Sequence, residues 1–259
     1  MTFKILNSDN LEEFKNSINF ELLNRMEELE NREISFDYFK TNHAISSVFS
    51  LKIEGEKIEL DSFFKHKFLN INFLPDHTKR ADDLFNAYEF MQSNTLNYKN
   101  FLKSHSILSQ NILPVSNRGK VRKNQMFIIN NEGKIEYVAA DKALVENEFK
   151  KLFDDIHSLI PEDLSLKEIF FYASQIHLVF VKIHPFEDGN GRSARLLEKW
   201  FLKEFLGRKA FAISLEKNYF QNLKNYYFNF KIVGLEYTDL DYSKSLDFLL
   251  MTVNSLKYD

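Results

Sequence analysis

The chain contains no cysteine among its 259 residues. Disulfides, thiolate metal sites and cysteine nucleophiles are therefore excluded, and the composition fits a reducing compartment. Glycine and proline are also scarce, with 7 and 4 residues, whereas Leu, Lys, Glu and Phe are abundant. Because Gly and Pro interrupt helices and the abundant residues mostly favour them, we expect a mostly helical cytoplasmic protein.

The sequence also lacks a strong excess of either charge and has no long apolar run. The 34 basic and 37 acidic residues are scattered, so the sequence presents no broad basic face for nucleic acid. No apolar run approaches the roughly 20 residues of a membrane-spanning helix. The first residues, Met1 to Asn7, run directly into charged sequence without the pattern of a signal peptide. We therefore expect neither a nucleic-acid nor a membrane partner.

Hydrophobic periodicity predicts an all-α fold with one short β-hairpin. Apolar residues recur every three to four positions over most of the chain. The predicted helices cover 9–33, 35–54, part of 56–80, 81–94, 98–112, 141–158, 165–183, 190–206, 216–230 and 240–256. Two β-prone runs, 125–129 and 135–138, flank the turn-forming cluster 130–133 and predict a hairpin. Pro75 predicts a break, and we divide the chain into an N-terminal helical region, 1–79, and a core, 80–259.

The segment 184–195, with the sequence HPFEDGNGRSAR, lies between two apolar helical segments. Pro185 ends the first helix, because proline disfavours helical geometry at the residue before it. Gly189 and Gly191 permit backbone conformations in which successive N–H groups turn toward an anion. The following helix adds its free N–H groups and the positive end of its dipole.

The side chains of this segment predict phosphoryl- or nucleotidyl-transfer chemistry. Arg192 and Arg195 are spaced i, i+3, so both can approach one anion. Asp188 offers a hard oxygen ligand for Mg²⁺ beside that anion. His184 places a titratable nitrogen at the rim. A phosphate cradle, a metal ligand and a base thus lie within a dozen residues.

These residues match every fixed position of His-Pro-Phe-x-Asp-Gly-Asn-Gly-Arg-x-x-Arg, and the chain therefore resembles the Fic family. The resemblance implies a helical core with a hairpin, called the flap, at about 123–139, and transfer of AMP from ATP to a Ser, Thr or Tyr hydroxyl of a protein. The acceptor is expected to dock by strand addition on the flap, and the chain itself is a possible acceptor. The implied roles are base for His184, Mg²⁺ ligand for Asp188, phosphate cradle for Gly189, Asn190 and Gly191, β-phosphate contact for Arg192 and γ-phosphate contact for Arg195.

A second pattern lies upstream, where Ser50 to Gly55 matches the inhibitory sequence Ser/Thr-x-x-x-Glu-Gly/Asn of Fic proteins. Ser50 and Glu54 share a helix face at i, i+4. The resemblance implies that Glu54 pairs with Arg195 and occupies the anchor of the γ-phosphate. We therefore expect an autoinhibited enzyme.

A nucleobase pocket is predicted on the helix 216–230. Phe220, Leu223 and Tyr227, at i, i+3 and i+7, share one face, and Fic proteins place base contacts on the corresponding helix. An ordinary core stripe is the alternative. The remaining histidines of interest, His105, His157 and His177, lack such a context and are interpreted as packing or surface residues.

Three other functions are compatible with the same residues. The chain could remove AMP from modified proteins, with Glu54 orienting a water molecule, or it could transfer another phosphate-linked group. It could also be a nucleotide-responsive regulator without turnover. Assays in both directions separate the first alternative, and ATP binding without modification of any protein would favour the last.

Overall fold

The computed structural model describes residues 2–30, 37–71, 75–129, 133 and 135–258. Its elements are α1 (Leu11–Ser17), α2 (Phe20–Glu30), α3 (Tyr38–Ile53), α4 (Leu60–Leu69), α5 (Pro75–Ser93), α6 (Tyr98–Leu108), β1 (Phe127–Ile129), β2 (Ile135–Val138), α7 (Val145–Leu159), α8 (Leu166–Ile183), α9 (Asn190–Leu206), α10 (Lys209–Ala212), α11 (Leu215–Gln221), α12 (Leu223–Ile232) and α13 (Leu246–Asn254). Short 3₁₀ turns cover Tyr237–Asp239, Tyr242–Ser245 and Ser255–Tyr258. The predicted mostly helical fold with one hairpin is confirmed. Across these residues, no helix is both long and apolar enough to cross a membrane.

Helix α8 is the centre of the core. Every residue from Ile169 to Ile183 is buried, as expected of a helix that is apolar around most of its circumference. Its start is fixed by a capping box, in which the Ser165 side chain and Glu168 satisfy each other's backbone N–H groups. Helix α9 packs along α8 and is itself buried over most of its length. The loop between them, 184–189, is therefore anchored at both ends in the packed interior.

The hairpin pairs β1 with β2 in antiparallel fashion, with Phe127 opposite Val138 and Ile128 opposite Tyr137. Its predicted turn residues 130–132 lie outside the described residues. The Val138 N–H also donates to the carbonyl of Leu235 at 2.8 Å, which attaches the hairpin to the segment after α12. A hairpin alone is marginal in water, so this attachment and the packing of its buried residues stabilise it.

Three predicted helix boundaries are wrong, and polar side chains or proline explain them. Pro75 does not break a helix but begins α5, since the first helical position needs no N–H donor. The predicted first helix divides before α2, where the Asn19 side chain accepts from the Glu21 N–H; its predicted end, 31–33, lies outside the described residues. The predicted helix 216–230 divides into α11 and α12 at Asn222, whose side chain bonds to the Asn218 carbonyl.

The division between residues 79 and 80 falls within α5. Buried side chains from both sides of it form one hydrophobic cluster. The two-part organisation itself stays a prediction.

Candidate active site

The loop 184–189 is held in shape by its own residues. His184 ends α8 in the left-handed conformation, with φ of 52°, which is uncommon for a residue other than glycine. The Phe186 ring is fully buried in the core. The Asn190 side chain accepts from the Phe186 N–H at 2.9 Å and donates to the Phe186 carbonyl at 2.8 Å. The Asn190 amide therefore clamps the loop, while its backbone remains at the start of α9.

His105 contacts the loop 184–189 from the buried side. Its Nδ1 accepts from the Gly119 N–H at 2.9 Å, so its Nε2–H donates to the Asp188 carbonyl at 3.0 Å. Its ring stacks on Phe186, with centroids 3.6 Å apart. Burial lowers the pKa of His105 to about 4, so the ring is neutral near pH 7. His105 is thus a packing residue, as its lack of motif context suggested, but one that fixes the position of Asp188.

His184 presents its imidazole at the rim of the loop, where it is partly exposed. Its Nδ1 lies 2.6 Å from the hydroxyl of Tyr137 and 3.2 Å from the carbonyl of Val181. The pKa of His184 is lowered to about 4, chiefly by burial and also by the nearby Arg122, against the hydrogen bond to the Val181 carbonyl and the charges of Glu54 and Asp188. The imidazole is therefore neutral near pH 7, which is the state that can accept a proton.

Arg122 holds the same turn through the backbone. Its guanidinium donates to the carbonyls of His184 at 2.7 Å, Asn124 at 2.6 Å and Ala140 at 2.5 Å. The carbonyls at a helix C-terminus lack helical partners, and a cation there is favourable. Arg122 therefore fastens the two stems of the hairpin to the end of α8. The sequence analysis gave Arg122 no role and placed Tyr137 only in a β-prone run, because neither residue has a local spacing signal.

The start of α9 supplies backbone donors next to His184. The first hydrogen bond of this helix joins the Ser193 N–H to the Gly189 carbonyl at 2.9 Å. The N–H groups of Asn190, Gly191 and Arg192 precede it and have no carbonyl within the helix to bind. Gly189 has φ of 80°, which turns the chain into α9. This is the geometry of an anion site at a helix N-terminus.

Arg192 adds a charged donor to these N–H groups. The residue is only 6% exposed. Its Nη2 contacts Asp188 Oδ1 at 3.1 Å, while its buried Nε has no hydrogen-bond partner among the residues that the structure describes. A buried guanidinium N–H without a partner is costly, and an anionic ligand would satisfy it. The Asp188 side chain is 54% exposed, so its second oxygen remains accessible beside this position.

Glu54 ends α3 and reaches the same site from the other side. Its Oε1 accepts from Arg195 Nη2 at 2.6 Å. The buried guanidinium of Arg195 also donates to Ser50 Oγ at 2.8 Å and to the Ser50 carbonyl at 3.0 Å. Burial raises the pKa of the Glu54 carboxyl, but Arg195 and Arg192 outweigh it and hold the pKa below its usual value. The structure thus brings Ser50, Glu54 and Arg195 into one charged contact.

Arg195 also leads into a buried network. Its Nη1 donates to the Tyr226 hydroxyl at 3.2 Å, and that hydroxyl lies 3.0 Å from His177 Nε2. The other ring nitrogen of His177 lies 2.6 Å from Glu198. His177 is therefore a satisfied core histidine, and His157 is exposed on α7.

The three residues of the predicted base pocket do not share one helix face. Phe220 lies in α11, whereas Leu223 and Tyr227 lie in α12, so the argument from i, i+3, i+7 spacing is wrong. Phe220 and Leu223 are half-buried and pack against the hydrophobic core, whereas Tyr227 is exposed. The Tyr227 hydroxyl donates to the Ile53 carbonyl at 3.0 Å, beside Glu54. Tyr227 therefore borders the site, and the base-binding role stays a prediction.

Known proteins resemble this chain in sequence over its middle part and in fold over nearly all of it. The sequence model of the Fic/DOC family matches residues 95–202, which include the whole segment 184–195. The match covers less than half of the chain and shows similarity to the Fic/DOC family over residues 95–202. The "Protein adenylyltransferase Fic" of Drosophila melanogaster is 31% identical over 107 residues, which are 41% of this chain and 20% of that protein. The chain thus matches about a fifth of the length of this curated relative.

Solved structures show the same fold over nearly all of the chain. A Fic family protein from Desulfovibrio desulfuricans superposes with a TM-score of 0.74 at 17% identity, covering 100% of this chain and 75% of that one. Fic-1 from C. elegans gives a TM-score of 0.69 at 15% identity, covering 97% of this chain and 71% of that one. At these identities the similarity establishes the Fic fold.

Proposed function

We propose that this protein is an adenylyltransferase that moves AMP from ATP to a Ser, Thr or Tyr hydroxyl of a protein. One observation carries the proposal: the neutral imidazole of His184 lies beside a helix N-terminus and the buried, partly unpaired guanidinium of Arg192. The name of the curated relative supports the same chemistry. A triphosphate bound to the α9 terminus would place its reactive phosphate within reach of a group activated at His184.

The residues have complementary tasks. His184 Nε2 accepts the proton of the acceptor hydroxyl while the hydroxyl oxygen attacks the α-phosphorus of ATP. The bond between the α-phosphorus and the pyrophosphate oxygen breaks, and pyrophosphate leaves. The backbone N–H groups of Asn190 and Gly191, together with Arg192, bind phosphate oxygens, and Arg195 receives the γ-phosphate. The Gly189 N–H, which donates to Asp188 Oδ1 at 2.5 Å, joins them when that bond opens.

Asp188 is the residue that would hold Mg²⁺. Its exposed carboxylate lies next to Arg192, where the phosphates would bind. Within the described residues no group of three or more His, Asp or Glu side chains could hold a metal. Mg²⁺ commonly binds through one or two carboxylates plus phosphate oxygens and water, so a single Asp188 is compatible with it. When bound, the ion would offset charge on the phosphates and on the leaving pyrophosphate.

We further infer that Glu54 inhibits the reaction. Its carboxylate occupies Arg195, the group assigned to the γ-phosphate. A second anion cannot use the same Nη2 donor at the same time, so ATP would bind with a shifted triphosphate and a poorly aligned α-phosphate. Removal of Glu54 would leave Arg195 available to the γ-phosphate.

The flap is the proposed docking surface for the acceptor. On β1, Phe127 is 52% exposed and Ile129 61% exposed, so this strand presents apolar side chains to solvent. An extended segment added beside β1 would gain backbone hydrogen bonds, and the exposed side chains would contact it. Its hydroxyl would then approach His184, because β2 contacts that residue through Tyr137. The chain itself remains among the acceptors to be tested.

The test uses the Glu54→Gly variant with Mg²⁺ and ATP labelled on the α- or the γ-phosphate, incubated with cell lysate. We expect incorporation of the α-label only, a mass increase corresponding to AMP on modified peptides, and no incorporation when His184→Ala is added. Incorporation of the γ-label would indicate phosphate transfer instead. ATP binding without any labelled protein would contradict the proposal and favour a nucleotide-responsive regulator.

Removal of AMP is the second candidate, because the Glu54 side chain lies in the site and is 30% exposed. A carboxylate in this position could orient a water molecule toward a phosphodiester. Incubation of an AMP-modified peptide from the first experiment with the wild-type chain decides the direction. Release of AMP by the wild type but not by Glu54→Gly would favour removal.

A further inference from the structure

Among the flap residues that the structure describes, Tyr137 on β2 is the one whose hydroxyl contacts the ring of His184. It is buried, and its ring lies beneath Lys182 Nζ at 4.6 Å from the ring centroid. Its hydroxyl lies 2.6 Å from His184 Nδ1 and 2.8 Å from the Val181 carbonyl. The side chain is therefore fixed on both its face and its hydroxyl end.

The proton positions follow from the donors and acceptors present. The Val181 carbonyl can only accept, so the single proton of the Tyr137 hydroxyl goes to it. The Tyr137 oxygen then accepts a hydrogen bond from the Nδ1–H of His184. In the reverse arrangement, Tyr137 would donate to Nδ1 and withdraw its hydrogen bond from the Val181 carbonyl at the end of α8. The first arrangement satisfies all three groups, and it leaves Nε2 of His184 as the unprotonated nitrogen.

We propose that Tyr137 is a positioning residue, whose hydroxyl holds the His184 imidazole with the proton on Nδ1 and Nε2 free to act as the base. This inference rests on the proposed role of His184 in transfer. Because Tyr137 belongs to β2, it also ties the orientation of the base to the placement of the flap on which the acceptor docks. Two contacts keep the flap in this position: Arg122 bonds it to the His184 carbonyl, and the Val138 N–H bonds it to the Leu235 carbonyl.

Other charged groups around His184 act through space. Arg122 faces it from the segment before β1, Glu54 from the end of α3 and Asp188 from the loop. None of these side chains has a hydrogen bond to the imidazole within the described part of the chain, whereas Tyr137 contacts Nδ1 directly. The Val181 carbonyl, 3.2 Å from Nδ1, is the other acceptor for the Nδ1 proton. Removing the Tyr137 hydroxyl leaves this longer contact alone, so the preference for the Nδ1–H tautomer should weaken and the ring should be less firmly oriented.

The first test is ¹⁵N NMR of histidine side chains in the full chain, with His184 assigned through His184→Ala. We expect wild-type His184 to be neutral near pH 7 with Nδ1 protonated, and the Nδ1–H fraction to fall in Tyr137→Phe. Tyr237→Phe is the matched control, since it also loses one hydroxyl hydrogen bond, to Glu148 at 2.9 Å, and should leave the His184 signals unchanged. A wild-type ring protonated on Nε2 instead would overturn the proposal.

The second test measures transfer in the Glu54→Gly background. Tyr137→Phe should lower kcat roughly tenfold, the equivalent of one lost hydrogen bond, with the KM for ATP changed less than about twofold. Tyr237→Phe should change neither constant. If Tyr137→Phe leaves both the tautomer and kcat unchanged, the positioning role is wrong. If no variant transfers AMP but the tautomers are as expected, the positioning of His184 stands and the proposed reaction fails.

Discussion

The carboxylate of Glu54 lies directly over the backbone of Gly191, so that a Cβ atom added at Gly191 would collide with Glu54 Oε1. The same oxygen accepts from Arg195 Nη2 at 2.6 Å. Gly191, the second glycine of the segment 184–195, therefore lies directly against the residue that ends α3. The effect of a Gly191 substitution on stability should therefore change sign when Glu54 is removed.

Gly191→Ala should lower the melting temperature of the wild-type chain, because the added methyl group displaces Glu54 from Arg195. Loss of that charged hydrogen bond costs about 1.5–3 kcal/mol, which exceeds the gain of about 0.5–1 kcal/mol from Ala over Gly in a helix. In the Glu54→Gly background the closest remaining atom is Arg195 Nη1, 3.3 Å from the added methyl group, and it needs to move by only a few tenths of an ångström. The helix gain then outweighs the contact, and Gly191→Ala should raise the melting temperature. Thermal unfolding of the four proteins measures this, and the same sign in both backgrounds would contradict the geometry.

Glu54→Gly should raise the rate of AMP incorporation by roughly tenfold or more over the wild type. The reason is that a charged hydrogen bond of about 1.5–3 kcal/mol no longer competes with the γ-phosphate for Arg195. Glu56→Gly is the control, because Glu56 pairs with Arg80 rather than with Arg195. Equal rates for wild type and Glu54→Gly would show that the contact does not restrain transfer.

The protein should lose stability as the pH falls from about 6.5 to 4. Burial lowers the pKa of His43 and of His105 to about 4, whereas both titrate near 6.5 when unfolded. Over this range the unfolded chain binds more protons, so acid favours unfolding, by on the order of 3 kcal/mol for each histidine at the lower limit. Urea unfolding between pH 7.5 and 4.5 measures the slope.

Two histidine variants test the origin of this pH dependence of the unfolding free energy. His105→Gln should flatten it, because one depressed histidine is removed, whereas the exposed His157→Gln should leave it unchanged. An identical slope in His105→Gln and wild type would mean that His105 is not held neutral in the fold.

Asn190→Ala should destabilise the protein and weaken ATP binding together. The substitution removes the two hydrogen bonds to the Phe186 backbone and leaves its buried N–H and carbonyl unpaired, which costs about 1–3 kcal/mol of unfolding free energy. It also loosens the start of α9. Asn225→Ala, on the exposed side of α12, removes the same side chain without this contact. Calorimetric unfolding and ATP titration of both variants test the prediction, and equal behaviour of the two would refute the clamp.

Local sequence was sufficient for the core of this site. Pro185, the two glycines and the arginines of 184–195 act over a few residues, so their spacing alone predicts a loop that opens into a helix with free N–H groups. The hairpin was also predictable, because β-prone runs around a turn cluster are a local signal. The helix ends at Asn19 and Asn222 were not, since a side chain that bonds to the backbone competes with helix formation without changing the hydrophobic period.

The sequence by itself therefore determined the helical fold, the hairpin and the residues of the signature loop. Only the tertiary structure decided which distant groups hold them: Arg122 and Tyr137 at His184, His105 beneath Asp188, and Glu54 over Gly191. The physical reason is the range of the interactions. Spacing along one helix or loop fixes short-range geometry, whereas burial, which lowers the pKa of His184 to about 4, and contacts between separate elements arise only when the chain packs.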